Sequence, residues 1–128
     1  NILINFILNK MNTTENNKII AKFMGAIEVR KDNFKFPNRT GLPLQIGTIN
    51  YHSDWNWIME VVEKIETLKV QDLSFNFNIQ KDRVSLSYIH INDPKKSTEM
   101  FFEWGQKTKI ENLYKIVLEF IKWYNENK

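Results

Sequence analysis

Apolar positions recur along this chain with two spacings, and the switches between them mark out the elements. Ile19, Ile20, Phe23 and Met24 fall at helical spacing, with Thr13 or Thr14 available as a cap and Gly25 placed where a left-handed residue would end the helix. Residues 26–37 change to period two: Ile27 and Val29 alternate with Glu28 and Arg30, and Lys31-Asp32-Asn33 turns the chain into Phe34 and Phe36, which predicts a hairpin. From Pro37 to Asn50, two of the three prolines and two of the four glycines interrupt any period. That stretch leaves room for a short strand within Leu44 to Ile49 and is where a functional loop would most cheaply sit.

Helical spacing returns at Trp55, Ile58, Met59, Val62, Ile65 and Leu68, after Ser53 or Asp54 as cap, with Glu60 and Lys64 set as an i, i+4 pair on the wet side. Leu73, Phe75, Phe77 and Ile79 then alternate with Ser74, Asn76 and Asn78. Past Lys81-Asp82 the alternation resumes as Val84, Leu86 and Tyr88, giving a hairpin with one buried and one wet face. Asn92 to Ser97 reads as a turn, and Met100 to Trp104 as one more strand ended by Gly105. Thr108 and Glu111 have capping-box spacing ahead of a helix lined by Ile110, Leu113, Tyr114, Val117, Phe120, Ile121 and Tyr124. The order α-β-β-(β)-α-β-β-β-α predicts an α+β fold in which three amphipathic helices cover a single, mostly antiparallel sheet.

With 128 residues and 42% hydrophobic content, the chain suits one domain with one core, over 11–128, preceded by an extension at 1–10 with Met11 as a candidate start. The absence of cysteine excludes a disulfide framework, a thiolate metal site and a cysteine nucleophile, and suits a reducing cytosol. The apolar run from Ile2 to Leu8 is far short of the roughly 20 residues that span a bilayer, so no membrane association is expected. The +3 charge comes mostly from lysine, with Arg30, Arg39 and Arg83 the only arginines, and points only weakly to nucleic acid.

Candidate chemistry is sparse. HExxH, metal-spaced histidine pairs, glycine-rich phosphate loops and GxSxG elbows are all missing, so neither a cofactor nor a metal is implied and a non-enzymatic role is expected. His52 next to Asp54, and His90 near Asp93, are the only pairs in which a carboxylate could hold a histidine for catalysis. Tyr51, His52, Trp55 and Trp57 crowd one junction and could stack a base or a partner's side chain. Trp55 fits the buried stripe and Trp57 lies about 200° away round the helix, so Trp57 is expected at the surface. Lys95, Lys96, Lys107 and Lys109 are candidates for a basic patch near Trp104, which would make a nucleotide or single-stranded nucleic-acid binder the alternative function. Ile116 and Trp123 lie off the main stripe of the last helix, leaving apolar surface for a partner or for Ile2, Leu3, Phe6 and Ile7 of the extension.

Three segments carry a resemblance. Tyr51-His52-Ser53-Asp54-Trp55-Asn56-Trp57-Ile58-Met59-Glu60-Val61-Val62-Glu63-Lys64-Ile65-Glu66 is similar to the most recognisable stretch of a group of small uncharacterised proteins from Bacteroidetes and their phages, except that Glu60 stands where that group commonly has proline. Asn16 to Gly25 and Ile110 to Asn125 resemble the two ends of the same group, so the likeness covers the helices and leaves the strands aside. It implies a phage or prophage setting without an activity to carry over. The class it suggests is a binding protein acting on a host protein or ribonucleoprotein, such as an anti-defence inhibitor of the anti-CRISPR kind.

Overall fold

The computed structural model describes residues 2–105 and 107–128, with the side chains of residues 4–11 left aside. Helix α1 (Ile2–Phe23) leads into strands β1 (Ile27–Arg30), β2 (Asn33–Lys35) and β3 (Leu44–Gln45), then a single 3-10 turn and helix α2 (Trp55–Thr67). Strands β4 (Lys69–Val70), β5 (Leu73–Ile79), β6 (Arg83–His90) and β7 (Asp93–Trp104) follow, and helix α3 (Lys109–Asn127) closes the chain. The fold is α+β with antiparallel strands throughout.

In place of the single expected sheet the strands form two, ordered β1-β2-β3 and β4-β5-β6-β7. The reason is local. β3 pairs over only Leu44 and Gln45 before Ile46 to Thr48 coil into the 3-10 turn, so the first hairpin has no strand long enough to reach the meander beyond α2. Helix α3 lies on β6 and β7 and also meets α1 and α2, while α2 rests on β5. A helix with neighbours on several sides buries more than one stripe: Ile116 is fully buried with Leu113, Val117, Phe120 and Ile121. Trp123 packs on Phe75 at 5.7 Å and Phe120 at 5.7 Å, so neither apolar position is left over for a partner or for the extension. Ile2 and Leu3 are exposed, and the expectation for Phe6 and Ile7 falls on side chains outside the described ones.

Helix ends follow the sequence where a cap has nothing to compete with. Asp54 accepts from the Asn56 amide at 2.8 Å, and Thr108 and Glu111 close their capping box. Gly25 (φ +89°) ends α1 with the Ala26 amide on Ala21 O and its own amide on Lys22 O, the paired bonds of a Schellman turn. Thr13 and Thr14 are not caps. The helix runs straight through them from Ile2, across the boundary expected at residue 10, because the preceding segment is itself helical and a capping residue must be extended.

Two further expectations give way to contacts distant in sequence. Glu60 pairs with Arg39 at 3.2 Å, not with Lys64, whose ammonium donates to Phe23 O at the end of α1 and lies 4.6 Å from the Phe23 ring. The turn predicted over Asn92 to Ser97 contracts to Ile91-Asn92, and Asp93 to Ser97 continue as strand β7, whose register slips at Met100 and again at Pro94 to Lys96.

Candidate functional site

The residues predicted to form one aromatic site stay together only in part: Tyr51 and Trp57 pack against each other, and Trp55 does not join them. Tyr51 is fully buried, and burial pushes its phenol well above its ordinary pKa, with Glu60 adding to the shift and Arg39 opposing it. Trp57 is half-buried, 5.3 Å from the Tyr51 ring and 5.8 Å from Phe36, with the Arg39 guanidinium 4.1 Å from its centroid. Trp55 is the exposed indole, at 41%. The expected order is reversed because the segment from Phe36 to Arg39 folds back over α2 and covers the face carrying Trp57, while Trp55 sits at the open first turn.

His52 keeps a half-exposed ring, held by Asn17. The Asn17 amide donates to Ile49 O at 2.9 Å and to His52 Nδ1 at 3.1 Å, and its carbonyl accepts from the Tyr114 hydroxyl at 2.9 Å, so this buried side chain ties α1, the loop before α2 and α3 together. Accepting at Nδ1 leaves the imidazole proton on Nε2, and burial holds the His52 pKa below its ordinary value. Asp54 is engaged as the α2 cap, with its side chain on the Asn56 amide, and His90 lies 5.8 Å from the Tyr88 ring at the exposed end of β6. Among the described residues the side chain hydrogen-bonded to the His52 ring is Asn17, not a carboxylate.

A cavity of about 400 Å³ opens beside His52, lined also by Thr13, Asn16, Lys107, Glu111, Tyr114, Lys115 and Leu118. It brings His52 and Lys107 to one cavity, while Tyr51 and Trp57 meet in the packed cluster beneath Arg39. Its charges are largely answered: Lys115 pairs with Glu103 at 2.6 Å, and Glu111 accepts from Thr108 at 2.9 Å. Lys95 and Lys96 stand at one end of β7 and Lys107 and Lys109 beyond the other, separated by about 25 Å of strand at about 3.3 Å per residue, so the four lysines do not make one patch. Among the described residues no group of three or more acidic or histidine side chains is placed to hold a metal.

What sequence reasoning missed is the outer face of the four-stranded sheet. The register sets Arg83 opposite Trp104 and Ser85 opposite Phe102, on the side away from Val84 and Leu86, which are buried toward the helices. Trp104 is 71% exposed and Phe102 50%, Arg83 lies 5.0 Å from the Phe102 centroid and 2.5 Å from Glu99, and Asn76 and Asn78 lie on the neighbouring strand of that face. The signal was present in Met100-Phe101-Phe102: adjacent phenylalanines on one strand must face opposite ways, so one of them is bound to point outward.

No family model, no curated protein and no solved structure matches the chain. Among the described residues no helix is long and apolar enough to cross a membrane.

Proposed function

We propose that this is a non-enzymatic binding protein that works by occupying a surface of another protein, with the outer face of the four-stranded sheet as its contact. One observation carries the reading: a tryptophan 71% exposed beside a phenylalanine 50% exposed, on a face its own helices leave uncovered. Large rings so placed add nothing to the core, and tryptophan and arginine are the residue types that dominate protein interfaces when desolvated. The sequence likeness supplies the setting: a phage or prophage protein in the bacterial cytosol, whose partner is a host factor of the defence systems, CRISPR effectors included.

Affinity capture from nuclease-treated bacterial lysate tests this with the wild-type chain and the double variant Phe102→Ala/Trp104→Ala. A stoichiometric protein retained by the first and lost by the second is the expected result; no partner, or one held equally by both, removes the assignment. A second reading has its own observation, since Arg83 over Phe102, with Asn76, Asn78 and Trp104 on the same face, is also a surface on which single-stranded bases stack. Quenching of tryptophan fluorescence by oligothymidylate, falling steeply with salt and absent from Trp104→Ala, would favour nucleic acid over protein.

A further inference from the structure

Asn17 decides which protons His52 can carry. A main-chain oxygen only accepts, so the contact with Ile49 O at 2.9 Å requires the amide nitrogen of Asn17 on that side. The same nitrogen lies 3.1 Å from His52 Nδ1, which must then accept as well. Turning the amide over would offer an oxygen to Nδ1 but set it against Ile49 O, so one orientation alone satisfies both neighbours. The amide oxygen is engaged too, by the Tyr114 hydroxyl at 2.9 Å. Asn17 is 3% exposed, so solvent does not readily replace a partner it loses.

A charged imidazole has a proton on both nitrogens and accepts at neither. Protonation of His52 therefore sets two donors face to face at a buried position, a conflict relieved by parting Asn17 from His52. The cavity of about 400 Å³ beside His52 shows what would part. Across it Thr13 and Asn16 of α1 face Glu111, Tyr114, Lys115 and Leu118 of α3. Among the described side chains Asn17 is the first buried one along α1, and the fully buried Ile20 and Ala21 follow within about a turn.

We infer that the contact between Asn17 and His52 is an acid-sensitive latch: proton uptake at His52 releases the part of α1 ahead of Asn17 from α3 and opens the cavity between them. Lys107 and Lys115, which line the cavity, oppose a charge on His52 and Glu111 favours one, but Lys115 is paired with Glu103 and Glu111 accepts from Thr108. The Tyr114 phenol is raised by burial and stays protonated. On α1, Lys18 is engaged by Asp32 and Glu15, and Asp54 of the loop caps α2. Burial holds the His52 pKa below its ordinary value, so the latch is closed at neutral pH and opens as pH falls through the folded value. None of these residues lies on the outer face of the four-stranded sheet, so the inference stands or falls apart from the function proposed above.

Hydrogen exchange of the full chain tests it, read for each amide by NMR between about pH 4.5 and 7.5 and corrected for the intrinsic exchange rate. Below about pH 6.5 the opening constant of the α1 amides from Asn12 to Asn17 rises by about tenfold per pH unit, the dependence of a single proton taken up. The α2 amides from Ile58 to Ile65 keep a smaller opening constant throughout. His52→Gln, which still accepts from Asn17, removes the pH dependence. Three results overturn the assignment: an α1 opening that does not change with pH, one that changes equally in His52→Gln, or equal opening constants in the two helices, which is unfolding of the whole domain.

Discussion

Two clusters in this molecule use the same parts. In each an arginine lies over an aromatic ring and reaches a glutamate: Arg39 over Trp57 with Glu60, and Arg83 over Phe102 with Glu99. Even the arginines are equally open, with 37% of each side chain exposed. The difference lies beneath them. Trp57 is wedged against Tyr51 and Phe36, so Arg39 closes over packed core, whereas Phe102 and its neighbour Trp104 remain in solvent under Arg83. Identical local chemistry therefore seals a core in one place and leaves a contact surface in the other, and the arrangement of the chain around it decides which.

Substitution should separate the two clusters most sharply at the tryptophans. Trp57→Ala is expected to cost about 3 kcal/mol of folding stability in urea denaturation, through lost packing and the cavity left behind, while Trp104→Ala stays within about 0.5 kcal/mol. Equal costs at the two sites would dissolve the contrast. The arginines come next: Arg39→Ala should lose about 1–2 kcal/mol, because its stem and guanidinium cover an indole, against less than about 0.5 kcal/mol for Arg83→Ala.

Within the inner cluster the Tyr51 hydroxyl is buried without a hydrogen-bond partner. Tyr51→Phe should therefore raise stability by about 1 kcal/mol, seen as a higher thermal midpoint, and a loss would show that the hydroxyl is engaged.

The smallest effect lies at the flank of that cluster, in His52. Its folded pKa is below the ordinary value, so between the two the unfolded chain binds more protons. The contribution is complete above about pH 6.5 and is lost as pH falls toward the folded value. Denaturation across that range should show stability falling with acidity, and His52→Gln, which can still accept from Asn17, should flatten part of the slope. An unaltered slope would separate His52 from the acid sensitivity.

Much of the architecture was legible because its causes are local. The stripe of α2 through Ile58, Val62 and Ile65, the capping box at Thr108 and Glu111, and the turn at Gly25 all depend on residues within about a turn of one another, and each is found as its spacing requires. The candidate site was far less legible. Of its predicted members His52 and Lys107 share a cavity and Tyr51 and Trp57 pack together inside, but the residue that fixes His52, Asn17, gave no sign of it, since its hydrogen bonds reach Ile49, His52 and, 97 positions along the chain, Tyr114.

Hydrophobic period and caps in the sequence alone thus determined three helices, antiparallel hairpins and the α+β class. Only the tertiary structure decided that the strands split into two sheets, that Tyr51 and Trp57 go inside, and that Phe102 and Trp104 stay out. The physical reason is that a period reports which side of an element a residue occupies, while burial depends on what arrives to cover that side. For Trp57 the cover is Phe36 and Arg39, brought back from the preceding hairpin and loop; over Trp104 none of the three helices is laid.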